Sequence, residues 1–182
     1  MTTQSATRST WATESSHASA DFAVKHLMIS TVKGRFTELE GTFELDEGDL
    51  TNSSGTLTIK AASLETHDER RDEHLRSADF FDAATYPELR FESRRIEREH
   101  GNDYRIIGDL TVRGITREVE LKAEVTGPVR DPMAGERLGL SAETKINRKD
   151  FGLNWNMALE TGGFIVGDEV KVTVNLELVK QA

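Results

Sequence analysis

The sequence predicts an all-β fold, about eight antiparallel strands wound as a meander and closed into a barrel. Three observations carry that prediction. Apolar and polar residues alternate with period two along most of the 182-residue chain, the pattern of strands with one buried and one wet face. Gly, Asp, Asn and Ser gather between the alternating runs, as in DEGD at 46–49 and TNSSG at 51–55, and supply short turns. Only the stretch 67–83 carries a helical density of charge.

Taken in order, the first alternation is Phe22, Val24 and His26. After an irregular HLMIS segment come Val32, Gly34 and Phe36, then Phe43 with Leu45, and Leu57 with Ile59. Leu89 and Phe91 follow, then Tyr104 to Val112, Val119 to Val125, Leu138 to Ile146, and Val170 to Leu178. Between them, HDERRDEHLRSADFFDA at 67–83, built around Leu75, Phe80 and Phe81, predicts one or two short helices. The stretch 149–169, punctuated by Gly152, Gly162, Gly163 and Gly167, predicts a long connection over a barrel opening. Residues 1–10 are expected to form a flexible tail and 11–182 a single domain, because this length fits one core.

Alternation alone fits a sandwich as well as a barrel. Closure abolishes exposed edges, and about eight strands leave a lumen that side chains fill or that holds one small ligand. Gly34, Gly41, Gly55, Ala61, Gly108 and Ala142 are small residues in or beside strands. They point to a cavity, although bulges and bends use the same residues.

A formal net charge of −9 disfavours nucleic acid and anionic headgroups as partners of the average surface. No cysteine is present, which removes disulfides and thiolate chemistry. The polar, Ser/Thr-rich start lacks the pattern of a secretory signal, so a cytoplasmic protein is expected. No window has the roughly 20 apolar residues of a spanning helix, leaving at most peripheral membrane contact.

The catalytic and metal motifs are weak. His67 and His74 flank a mixed run of carboxylates and arginines, which reads as a solvated helix face rather than a metal site. His26 continues the inward phase of Phe22 and Val24 and is expected to be a buried, hydrogen-bonded imidazole. GxSxG and phosphate-cradling glycine loops are absent. Trp11, Phe151, Trp155 and Phe164 are large apolar groups at the irregular ends, suited to capping a core or gating a lumen.

Four strings in order resemble one family: AVKHLMISTVKGRF at 23–36, RRDEHLRSADFFDAATYPELRFES at 70–93, GDLTVRGITREVEL at 108–121, and INRKDFGLNWNMALETGGFIVGDEV at 146–170. Together they resemble the YceI family from about Trp11 to Leu178. The resemblance implies an extended eight-stranded lipocalin-like barrel with a long apolar lumen. It implies binding, storage or carriage of a polyisoprenoid such as a prenyl pyrophosphate or isoprenoid quinone, without catalysis and with no cofactor beyond that lipid. Many members carry a secretory signal, from which this sequence departs. A filled barrel acting as an interaction or stress-response module, or a barrel holding another amphiphile such as a fatty acid, is the alternative. A homodimer is a further expectation.

Strand phase then assigns the lumen lining to Phe22, Val24, His26, Phe36, Phe43, Leu57, Ile59, Phe91, Ile106, Leu110, Val112, Leu140, Ile146, Val172 and Val174. Arg35, Arg113, Arg117 and Arg148, near strand ends, are candidates for holding an anionic headgroup at the mouth, with Trp155 beside them.

Overall fold

Short turns and unbroken alternation dictate that each strand pairs with the next, and the computed structural model, which describes residues 7–182, shows that order. The strand segments are β1 (Arg8–Thr13), β2 (Ser19–His26), β3 (Ser30–Phe36), β4 (Leu39–Asp46), β5 (Ser54–Lys60), β6 (Leu64–Glu65), β7 (Glu88–His100), β8 (Asp103–Val112), β9 (Ile115–Asp131), β10 (Gly135–Asn147) and β11 (Val166–Lys180). One helix, α1 (Glu69–Arg76), lies between β6 and β7.

Three staves of the barrel are interrupted. β1 and β2 are parted by a 3-10 turn at Ser15–His17, β3 and β4 by Thr37 and Glu38, and β5 and β6 by a 3-10 turn at Ala61–Ser63. With those pairs merged, the segments form a closed eight-stranded antiparallel barrel of the lipocalin-like kind. β11 completes the ring, pairing with β2 from Val166 to Asn175 and with β1 from Leu178 to Lys180. The three interruptions sit side by side: the Gly41 amide donates to Thr13 Oγ1 at 3.0 Å, and the Thr37 amide to the Ser63 carbonyl at 3.2 Å.

Of the expected tail 1–10, Arg8 to Thr10 belong to a strand. β1 starts at Arg8, and its Arg8 to Ala12 pair with Asp46 to Thr42 of β4. Residues 1–6 lie outside the described residues. The predicted helical stretch yields the single helix α1, capped by Asp68, whose side chain accepts from the Arg71 amide at 3.1 Å.

Outward positions carry charge, as expected where the other face is buried. Arg105, for instance, reaches Glu99 at 2.9 Å and Glu120 at 3.1 Å across β7, β8 and β9. Among the described residues no helix is long and apolar enough to cross a membrane.

The start of β1, the end of β11 and the turns around 47–53, 101–102 and 132–134 mark the lower end. The upper end carries the 27–29 turn and the long connections 66–87 and 148–165. At that upper end β6 has no ladder to β7. Buried Leu64, Phe80, Leu89, Val112, Phe151 and Leu153 join one cluster there, with Leu75, Phe81 and Trp155 packed against it. A side-chain plug thus takes the place of strand pairing.

Candidate functional site

Below the plug the barrel is hollow. The cavity amounts to about 150 Å³ of space open to the centre of a water-sized sphere. One buried water needs ~10–15 Å³ on that measure, and an apolar cavity of ~150 Å³ admits a benzene-sized group, so this is room for a stretch of hydrocarbon. Its wall contains no charged residue among the described residues. The polar groups present are few and partly engaged: Ser93 Oγ accepts from the Gly55 amide at 2.8 Å, and Ser53 Oγ from the Asp46 amide at 2.9 Å. Tyr104 is buried, and its hydroxyl accepts from Arg98 Nη2 at 2.8 Å.

The predicted lining divides by height along the strands. Phe43, Leu57, Ile59, Phe91, Ile106, Leu110, Leu140, Val172 and Val174 line the cavity. Phe22, Val24, His26, Phe36, Val112 and Ile146 do not, although they follow the same strand phases. Phe36 and Val112 are buried in the core that fills the upper part, where the Phe36 ring meets Phe81 edge-on at 5.4 Å and Phe22 at 5.6 Å. Ile146 packs against that cluster. Val24 and His26 sit farther up β2, near its pairing with Val166 and Val170 of β11. Period two reports which face a residue occupies; it carries nothing about where the plug stops.

The small residues work differently from their expected role. A Cβ on Gly34 would lie 2.9 Å from Phe22 Cε2, one on Gly55 2.7 Å from Phe43 Cε1, and one on Gly108 2.8 Å from Phe91 Cε2. Phe22 pairs directly with Gly34, and Phe43 with Gly55. The glycines let aromatic rings lie against the wall. In the hollow part, Phe43 and Phe91 in this posture leave the lumen centre free.

Several lining residues went unassigned: Leu45, Leu50, Ile96, Tyr104, Val119, Leu121, Val125, Leu138, Leu176 and Leu178. Most continue the inward alternation and were legible in principle. Ile96 was not, because an irregularity between Ser93 and Arg95 shifts the register of β7 against β8 and reverses the phase.

The candidate mouth residues prove to be scattered. Arg148 is 4% exposed. It donates to the carbonyls of Gly167 at 2.8 Å, Leu153 at 2.6 Å and Trp155 at 2.9 Å, so its guanidinium binds the plug backbone. Burial pulls its pKa below the ordinary value, with the Asp168 carboxylate 3.7 Å away acting the other way. Arg113 donates to the Phe80 carbonyl at 3.0 Å, another clamp on the plug. Trp155 lies 4.7 Å from the His74 ring and 5.4 Å from Phe80 and covers the plug. Arg117 is exposed and donates to the Thr116 carbonyl, while Arg35 lies on the outer wall in a shallow groove with Lys33, Glu65 and Lys171. Sequence position near a strand end did not reveal that carbonyls would consume the guanidinium donors.

The lower end has its own closure. Trp11 is 2% exposed, and Lys180 Nζ sits 5.9 Å from the centre of its ring. Lys180 reaches Glu47 at 2.5 Å and Glu136 at 2.9 Å. The hydrogen bonds to Glu47 and Glu136 raise the Lys180 pKa, and those from Lys180 and Ser9 lower that of Glu47.

Comparison with known proteins agrees with this architecture. The model of the YceI-like domain matches residues 11–178. A UPF0312 protein of Staphylococcus aureus strain N315 is 37% identical over 165 residues, covering 90% of this chain and 94% of its own. The crystal structure of the Campylobacter jejuni YceI protein superposes with a TM-score of 0.73 at 30% identity, over 87% of this chain and 90% of that one. Burkholderia cenocepacia BcnA shares the fold at 24% identity and a TM-score of 0.80, covering 91% and 98% of the two chains. On the family match and the extent of these likenesses, the chain belongs to the YceI-like family.

Proposed function

We propose that the protein binds a long apolar chain of the isoprenoid type inside the barrel and stores or carries it without chemically altering it. The observation that carries this reading is the hollow, uncharged lumen below the plug. Such a wall gains free energy from hydrocarbon and offers almost nothing to a polar molecule. Each buried methylene contributes roughly 0.8 kcal/mol, so about 5 to 19 of them are needed to offset an association cost of ~4–15 kcal/mol. That favours a long chain over a short one. A structural neighbour of the same fold, at 16% identity and a TM-score of 0.71, is a polyisoprenoid binding domain from Saccharophagus degradans.

The test is direct. Protein purified from its own cells is denatured, extracted with organic solvent and analysed by mass spectrometry beside a mock preparation. A stoichiometric prenyl lipid is the expected result. A stoichiometric fatty acid would preserve the lumen and change the ligand class. If nothing co-purifies and added prenyl quinone fails to bind, the reading fails. Leu121→Trp, which adds an indole to the cavity wall, is expected to abolish uptake while the barrel still folds.

A further inference from the structure

The upper end of the barrel carries an apolar tip that the lumen does not use. In the turn between β2 and β3, Leu27 is 36%, Met28 67% and Ile29 84% exposed. Met157 and Phe164 of the neighbouring connection are 56% and 53% exposed. The two loops are stitched together: the Leu27 amide donates to the Ile165 carbonyl at 2.8 Å, and the Ile165 amide to the Met157 carbonyl at 3.1 Å. The Met28 side chain lies against Gly163. These are therefore one surface rather than separate exposed side chains.

The backbone also opposes chance. Leu27 and Met28 both sit in the left-handed region, with φ of 52° and 62°. Successive left-handed residues are usual for a two-residue hairpin turn, but Asn and Gly ordinarily occupy them. Bulky apolar residues here carry conformational strain, and Met28 gains little burial within the protein in return.

A basic collar stands behind the tip on the outer wall. Lys25 is two residues from Leu27, and Lys33 is four residues from Ile29, about 13 Å along the strand. Arg35 follows beyond. Among the described residues the side chains of Lys25, Lys33 and Arg35 have no ion-pair partner. Of the nearby acids, Asp168 is engaged by Arg148 and Lys149, and Glu169 by Lys145. Glu160 in the connection is free, and Asp21 and Glu65 lie in the groove beside Arg35. Arg35 stands opposite Asp21 and Glu65 in the ladders, so Lys25 and Lys33 are the unpaired cations nearest the tip, with Glu160 the free carboxylate beside them.

We propose that this tip docks on the surface of an anionic lipid bilayer. Apolar side chains that enter the interface by ~5–10 Å would place Lys25, then Lys33, at the level of the lipid phosphates. The cations add attraction that salt screens. The inference is independent of what fills the lumen.

Flotation of the full chain with vesicles tests it, using phosphatidylcholine alone and phosphatidylcholine mixed with phosphatidylglycerol. Binding to the anionic vesicles is expected, weakened by salt. Met28→Ser with Ile29→Ser should lower the partition coefficient about tenfold. Lys25→Glu with Lys33→Glu should remove the preference for anionic vesicles. Val129→Ser with Met133→Ser, exposed apolar residues of the opposite end, should float like the parent. All variants should keep the parent thermal midpoint, since the changed residues are exposed. A parent that floats with neither vesicle, or a tip variant that floats unchanged, overturns the proposal. So does a parent dimer that the tip variant dissociates without any vesicle binding, which would make a second copy the occupant.

Discussion

Replacing Gly55 by Ala would test whether the lumen owes its free space to rings lying on glycine. The added Cβ would stand 2.7 Å from Phe43 Cε1, about 1 Å inside ordinary carbon contact. Gly55 keeps a negative φ, so the methyl brings no backbone strain, and in a strand it gains roughly 0.5–1 kcal/mol over glycine. The contact must then be relieved by the ring swinging into the cavity or by the strands separating, at about 1–3 kcal/mol. The expected net effect is a loss of about 1–2 kcal/mol, or ~2–8 °C in thermal midpoint for a chain of this length. Uptake of a fluorescent prenyl probe should weaken about tenfold as the ring occupies its path. Adding Phe43→Leu should restore both, with a coupling of about 1 kcal/mol in the double-mutant cycle. Unchanged stability together with unchanged uptake in Gly55→Ala would falsify the argument.

Arg148→Met keeps the apolar stem but strands the carbonyls of Leu153, Trp155 and Gly167; a loss of about 3 kcal/mol in urea unfolding is expected, and a loss under 1 kcal/mol would show that water replaces the clamp. Leu57→Asp places a carboxylate on the inner wall at a residue 7% exposed, and should lower the urea midpoint sharply or prevent folding; a stable, ligand-retaining variant would mean that the inward phase is wrong. The lower closure should be sensitive to acid. The Glu47 pKa is lowered by its hydrogen bond from Lys180, so its contribution is present above the unfolded carboxylate value of 4.5 and is lost as pH falls through the lower folded value. In a Trp155→Phe background, Trp11 fluorescence should report loosening in that acid window, and Glu47→Gln should abolish the step; a step that survives the substitution assigns it elsewhere.

How much was readable in advance depended on which physical constraint each residue obeys. Strand existence and facing were legible because burial on one side imposes period two, and Leu57, Ile106 and Val174 fall on the inner wall as that rule requires. Height was illegible: Phe36 and Val112 obey the same alternation yet belong to the solid end, because chain segments remote in sequence decide where the plug stops. β1 was hidden, since Arg8 to Thr10 are polar and a six-residue segment gives little alternation. The arginines near strand ends looked like free cations. Arg113 and Arg148 are in fact donors to carbonyls of the irregular connections, a tertiary role with no signature in spacing.

The gap between β6 and β7 has a mechanical consequence. Five uncut strands, β7 to β11, form a stiff trough whose ladders run unbroken for much of their length. The upper flap of β2, β3 and β6 is creased away from the segments below it, and its outermost ladder holds only the pairs Arg35–Glu65 and Phe36–Leu64. Parting the barrel there means sliding side chains off one another and releasing a few guanidinium clamps, with the main ladders left whole. The molecule is thus built like a purse with a rigid frame and a soft clasp: entry of the proposed ligand there would disturb the clasp and leave the walls of the hollow beneath it paired.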